Sequence, residues 1–303
     1  MTNHFTVPLN TSARIQRSLS GYAPTGAAVD PTLRDALADS LRPTGKHYRA
    51  GLVLAGCSAL GLEDSRADQL ASSVEYFHTA SLLLDDLPCM DDAMLRRGCP
   101  CVHTRHGEPA TILAALSLIS RAYLLAEMAF SDLPGHVRLR AHMLIERRLG
   151  ASGLTGGQAA DLHHNPMDKC ARQSGRIALL KTGGLFQLCL LLPSMAAGVR
   201  ADAESLLKRL AVYWSLAYQI SDDIRDLEGS PAQDGKTTGR DRTLDRANLV
   251  LTAGHDTARK RLTRLAVLSE KVISKLAEED VRWGYLGQFH RVLFEPAADK
   301  AAA

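Results

Sequence analysis

Aromatic side chains are scarce in this 303-residue chain: they make up 5 % of it, while Ala and Leu dominate a hydrophobic fraction of 46 %. β-Branched runs are scarce as well, so the composition favours an all-helical globule over a sheet protein. An excess of one charge is also lacking. The formal net charge is +3, and no basic–aromatic alternation occurs, which disfavours nucleic acid or a membrane surface as partner. The six cysteines, Cys57, Cys89, Cys99, Cys101, Cys170 and Cys189, form no CxxC pair. They read as free thiols of a reducing compartment. "MTNHFTVPLN" has neither the charged start nor the apolar centre of a signal peptide. The longest apolar stretches, 112–130 and 183–199, are interrupted by Arg121 and Glu127 and by Gln187 and Pro193. Neither reads as a clean membrane span. A soluble, cytoplasmic protein without membrane insertion is expected. A Gly-rich phosphate loop, an EF-hand loop and a Ser-His-Asp spacing are all missing, which disfavours nucleotide hydrolysis and calcium storage.

What is present is helical patterning. Residues 1–29 are rich in Thr, Ser, Gly, Ala and Pro and read as partly loose. Asp30-Pro31 is a helix start, with Asp as cap and Pro in the first turn. Leu70, Val74 and Phe77 mark a helix over 66–84. Further helices are expected over 110–131, 136–150, 153–163, 172–199, 202–227, 256–277 and 279–293. "RRGCPCVHTRHGEP" and 229–241 read as loops, and the end of the chain from 296 as a frayed tail. No composition shift marks a second domain, so 30–295 is expected to be one large helical bundle.

Two acidic clusters stand out, each after an apolar helical run. The first, "SLLLDDLPCMDD", holds Asp85, Asp86, Asp91 and Asp92. The second, "YQISDDIRDLEG", holds Asp222, Asp223 and Asp226. Asp222 and Asp226 share one helical face. Asp85 and Asp91, six apart, would diverge on a straight helix, but Pro88 cannot continue one and a bend there returns Asp91 towards Asp85. A lone acidic cluster is an ordinary solvated face. Two clusters on buried runs point instead to hard divalent cations such as Mg²⁺, which binds through a few carboxylates plus substrate phosphates. Cations lie near the acids: Arg96 and Arg97, Lys46 and Arg49, Lys181, and Lys236 and Arg240. Any one of them reads as a surface charge, but Arg96-Arg97-Gly98 beside four Asp residues suits a polyphosphate ligand. Gln158 and Asp161 are polar in an apolar stretch, and read either as an interhelical hydrogen bond or as substrate contacts.

In chain order "TGKHYR", "YFHTASLLLDDLPCMDDAMLRRG", "GLTGGQAADL", "LLKTGGLF", "YQISDDIRDLEG" and "GKTTGRD" span roughly 40–245. With these pieces the chain resembles the trans-polyprenyl diphosphate synthases of the short-chain, farnesyl or geranylgeranyl type. The resemblance implies an all-α bundle around a deep cavity and a homodimer. It implies three Mg²⁺ held on an allylic diphosphate by Asp85, Asp86, Asp91, Asp222, Asp223 and Asp226. Arg96, Lys181, Thr182, Gln219 and Lys236 are the implied contacts of that diphosphate; Lys46, Arg49, His78 and Arg97 are those of isopentenyl diphosphate. Metals and cations would stabilise the departing diphosphate, the isopentenyl double bond would attack the allylic cation, and diphosphate would take the last proton. An apolar cavity would keep water from the cation. The chain departs from the family at "LDRANLV" (244–250), where Arg246 stands near the place of a usual Lys, and at Ala93, where an acid is common.

Ala80 and Ser81 lie about one helical turn before Asp85. Farnesyl-type members tend to carry a bulky aromatic there, so these small residues point to a C20 product, with a deeper floor on a neighbouring helix near Leu118. A class I terpene cyclase would lack "GKHYR" and "RRG", and a non-catalytic relative usually loses one Asp motif.

Overall fold

Asp30 caps a helix as the sequence predicts: its carboxylate accepts the N–H groups of Thr32 and Leu33, and Pro31 opens α2 (Pro31–Ser40). The computed structural model describes residues 9–42, 45, 47–163, 171–228 and 248–294. In the chain, α1 (Leu9–Tyr22) precedes α2, and α3 (Tyr48–Ala59) and α4 (Asp64–Asp85) follow. A small hairpin follows, β1 (Leu95–Arg96) and β2 (Cys99–Pro100), and then α5 (Val102–His106) and α6 (Glu108–Phe130). The bundle continues through α7 (Gly135–Leu149), α8 (Leu154–Leu162), α9 (Ala171–Ala196) and α10 (Ala201–Glu228). It closes with α11 (Leu249–Ala253), α12 (His255–Glu279), a 3₁₀ turn (Val281–Gly284) and α13 (Tyr285–Phe294).

The long helix α4 is buried on most sides, against α6, α3, α1 and α9. A stripe of small residues on α6, Ala114, Ala115, Ala122 and Ala126, lets α4 approach the α6 backbone closely enough for Ser73 Oγ to donate to the Ala122 carbonyl at 2.8 Å. Leu70 on α4 and Leu118 and Leu125 on α6 are wholly buried. Each such Leu contributes about 1.5–3 kcal/mol relative to exposure.

Two local expectations change. Part of the stretch read as loose is α1, pinned by Ile15 and Leu19, which are buried, and by the Tyr76 hydroxyl donating to the Leu19 carbonyl at 2.5 Å. The "RRGCPC" segment, expected as loop, is the hairpin, closed by Arg97 and Gly98 at φ 55° and 77°. Two positive φ values in a two-residue turn match the right-handed strand twist. As expected for 172–199, α9 runs through Pro193 without ending there. The tail from 296 lies outside the described residues.

Among the described residues two helices are long and apolar enough to cross a membrane, Glu108–Phe130 and Gln173–Ala196. The second is 78 % buried over its most apolar stretch and is core; the first is 39 % buried there and keeps an apolar outer face.

Candidate active site

The first acidic segment ends α4 rather than bending it. The helix stops at Asp85, three residues before Pro88, and the chain folds back so that the Asp91 N–H donates to the Asp85 carbonyl at 2.9 Å. The Asp92 and Ala93 amides donate to the carbonyls of Leu87 and Asp86. Asp91 thus returns beside Asp85 by a turn. Burial pushes the Asp85 carboxyl up to about 6; Asp91 and Asp86 push the same way, against Lys181 and Arg96. Asp86 is buried and held by Arg96, through Nε at 3.0 Å and through Nη2.

The hairpin sends its two arginines to different partners. Arg96 turns to Asp86. Arg97 lies over Gly45, where any Cβ would overlap its guanidinium. Its nearest electrostatic neighbours include Glu75 and Arg49.

On the far side, α9 joins the acidic clusters. Lys181 donates to the buried Asp161 on α8 at 2.6 Å. Burial alone would lower the Lys181 pKa, but Asp161, Asp85 and Asp91 more than offset it and raise it. This contact depends on Gly157: a Cβ there would stand 2.6 Å from Leu180 Cβ and 2.7 Å from the Lys181 nitrogen. Next along α9, Thr182 Oγ1 donates to Gln219 Oε1 at 3.0 Å. Gln219 Nε2 donates to Asp223 Oδ1 at 2.7 Å, and Asp223 Oδ2 accepts the Leu249 N–H at 2.7 Å. A continuous hydrogen-bonded chain therefore ties α9 to α10 and to the start of α11, where Asn248 caps. Asp223 is 1 % exposed, whereas Asp222 is more open and reaches Arg225 at 3.4 Å. Asp226 is buried on the Asp222 face of α10. Gln158 is buried, and its amide oxygen and nitrogen have no hydrogen-bond partner among the described residues.

A third group gathers where α3 meets α4. Arg49 Nη1 donates to His78 Nε2 at 3.1 Å, so the His78 proton resides on Nδ1. Burial and then Arg49 hold His78 well below its usual pKa, in the neutral form. The Arg49 guanidinium also lies over the Phe186 and Tyr218 rings, 5.6 and 5.7 Å from their centroids. Sequence reasoning missed Glu75, His47, Phe186 and Tyr218 here. For Glu75 a signal existed: a lone charge in an apolar run, three residues before His78 on one helical face. Ala80 is fully buried, while Ser81 is half-buried and donates to the His78 carbonyl at 2.8 Å. One turn further back, Phe77 meets Tyr123 of α6 edge to face, at 5.0 Å between centroids.

Lys46, Lys236, Arg240 and Arg246 lie outside the described residues. Among the described residues no three His, Cys, Asp or Glu side chains form a ready-made metal cage. The donor set fits Mg²⁺ nonetheless, because this ion binds through one or two carboxylates with water and substrate phosphate oxygens completing its shell.

A helical bundle that gathers paired aspartates, a buried Lys and a cluster of arginines is that of a trans-prenyltransferase, an isoprenoid synthase of the all-α fold. Residues 30–280 match the family description Polyprenyl synthetase, and the chain belongs to that family. It is 36 % identical over 252 residues to a geranylgeranyl diphosphate synthase of Pseudescherichia vulneris, covering 82 % of this chain and 79 % of that protein. It is 33 % identical over 249 residues to the farnesyl diphosphate synthase of Bacillus subtilis (strain 168), covering 82 % and 84 %. In fold it is similar to a geranyltransferase from Helicobacter pylori, crystallised with magnesium and isoprenyl diphosphate: TM-score 0.81, 24 % identity, 97 % and 96 % of the two chains covered. Relatives of both product lengths match, so the similarity gives a short-chain prenyl diphosphate synthase and leaves the length to the site itself.

Proposed function

We propose that the protein condenses isopentenyl diphosphate with an allylic diphosphate to make geranylgeranyl diphosphate, a C20 product. The observation that carries the length is the side of α4 below Asp85. Ala80 and Ser81 put only small side chains in the first turn, and the Phe77–Tyr123 ring pair lies about 12 Å down the helix, eight residues at 1.5 Å each. We read that pair as the floor of the product cavity, in place of the neighbourhood of Leu118. Leu118 is wholly buried among the alanines that pack α6 on α4, and is core.

Asp85, Asp91, Asp222 and Asp226 are the carboxylates we assign to Mg²⁺, three ions with the diphosphate bound. This ion, present in the Helicobacter pylori complex, would supply charge neutralisation for the leaving diphosphate. Asp86 and Asp223 support the site instead, by holding Arg96 and Gln219. Arg96, Lys181, Thr182 and Gln219, with Lys236, orient the allylic diphosphate; Arg49, His78 and Arg97, with Lys46, orient isopentenyl diphosphate. Gln158 faces the same site as an idle donor and acceptor, and Asp161 holds Lys181 for it. The helices around the tail exclude water from the allylic cation.

The working form is a cytoplasmic homodimer. Ile112, Leu113, Leu116 and Leu124 on α6, with Leu139 and Met143 on α7, are large apolar side chains left exposed, and a second copy would cover them.

Mg²⁺-dependent incorporation of isopentenyl diphosphate, primed with each allylic diphosphate and followed by product analysis, tests this reading. C20 should accumulate, and Asp85→Ala and Asp222→Ala should abolish turnover. Farnesyl diphosphate as the end product would sink the length assignment, and turnover surviving both substitutions would sink the metal assignment. Phe77→Leu should lengthen the product, and Ala80→Tyr should shorten it.

A further inference from the structure

Glu75 has no part in the reaction described above, yet it sits in the most buried stretch of α4, 4 % exposed. An isolated carboxylate in such a place normally neutralises itself by taking a proton. Glu75 does not. Burial works to raise its pKa, but the basic groups beside it, His47 first and Arg49 with it, outweigh burial and pull it down to about 2. Its Oε1 accepts the N–H of Ala50, in the first turn of α3, at 3.1 Å. Its Oε2 lies 3.8 Å from His47 Nδ1. Arg97 comes to the same place from the hairpin: Glu75 is the neighbour that most favours its charge, while Arg96 and Arg49 oppose it. His47 enters α3 at φ 46°, a conformation uncommon for a residue with a Cβ. Neither His47 ring nitrogen nor Arg49 Nε has a hydrogen-bond partner among the described residues. Strained backbone and unused donors thus converge around one buried anion, and that arrangement anticipates another anion.

We propose that Glu75 is a resident stand-in for the diphosphate of isopentenyl diphosphate: it holds the first turn of α3 and the surrounding cations in place while the site is empty, and it weakens the grip on the arriving anion. The proposal rests on reading Arg49, His78 and Arg97 as that diphosphate's site. Glu75 is a positioning residue, since it acts through Ala50, His47 and Arg97. Cations gathered this closely repel each other, and removing the one compensating charge from a buried ionic cluster is strongly destabilising. A diphosphate would restore the balance, so the ligand should matter more to a chain that lacks the carboxylate. A fixed negative charge beside a bound anion also repels it, and the effect grows in a site with little water.

Glu75→Gln keeps the side-chain volume and the acceptor for the Ala50 N–H while removing the charge. The ligand-free variant should unfold several degrees below the natural protein. Isopentenyl diphosphate added in EDTA, without Mg²⁺, should raise its Tm by more than it raises that of the natural protein. KM for isopentenyl diphosphate should fall about tenfold, with KM for the allylic diphosphate within twofold. An unchanged or raised KM for isopentenyl diphosphate, or an equal gain in Tm, overturns the proposal. Where Glu75→Gln alone does not fold, the double change with Arg97→Gln removes one charge of each sign and should fold. Failure of the double variant would show that Glu75 acts through packing alone, and overturns the proposal too. No gain in Tm for the natural protein would overturn the assignment of the site and the role of Glu75 together; a gain there without a larger gain in Glu75→Gln overturns only the latter.

Discussion

Asp85 carries its charge at a cost to the fold. Its carboxyl is held at about 6, well above the ordinary Asp value, with burial as the first cause. A raised carboxyl pKa means that ionisation is less favourable in the folded chain than in the unfolded one. Stability is therefore lost as pH rises from about 4, where the unfolded group ionises, to about 6, where the folded group does. Asp85→Asn should stabilise the metal-free protein at pH 7 by about 1–3 kcal/mol. The gain should fade by pH 4, and thermal unfolding in EDTA at both values checks it. A gain of equal size at the two pH values would show that the carboxyl charge is not its source. The same proton competes with Mg²⁺, so the concentration of Mg²⁺ needed for half-maximal turnover should climb as pH drops below 6. The sequence made the residue types of this site readable, because carboxylates at helical spacing and basic residues beside them are local patterns. It did not reveal that Asp86 and Asp223 are spent on Arg96, Gln219 and the Leu249 amide. Those partners lie on other elements, and which oxygen meets which donor is decided by tertiary packing.

Among the elements, the α8–α9 contact has little slack. Gly157 faces Leu180 and the backbone of Lys181 with no room for a methyl group. Gly157→Ala should push α8 away from α9, cost about 1–3 kcal/mol through overpacking, and disturb the Asp161–Lys181 pair. A fall in Tm should accompany a rise in KM for the allylic diphosphate. A change in Tm with no kinetic effect would mean that the contact is structural only. Most helices could be read in the sequence from apolar spacing and end signals, α2 most clearly through Asp30 and Pro31. The hairpin could not, since its strands are two residues long and too short to show alternation. α11 escaped notice for the same reason: five residues between Asn248 and Gly254 carry no period. Pro193 did not hide α9: the apolar run over 172–199 read as one helix, and α9 continues through the proline, buried there.

For the whole molecule, the all-α class and the single bundle followed from composition, while the face of α6 did not. Its sequence is apolar nearly all round, which implies burial on every side, yet Leu113 and Leu116 are 51 % and 55 % exposed. The homodimer we propose, with a second copy covering this face, would resolve the mismatch. Leu113→Glu with Leu116→Glu should convert the homodimer to a monomer in sedimentation velocity and leave the helical circular dichroism intact. A natural protein that sediments as a monomer would refute the assignment.

The hairpin turn has a consequence for how the chain tolerates change. Arg96 and Arg97 are neighbours in sequence but serve separate anions, one through Asp86 and the other beside Glu75 and Gly45. In the function we propose, two substrates would thus be addressed by one peptide bond's worth of chain. Loops normally absorb insertions and deletions, but a single residue gained or lost between Asp92 and Arg96 would put one arginine at the other's address and displace the second from both. Drift in this segment is confined to substitution, and its length is fixed as tightly as its letters.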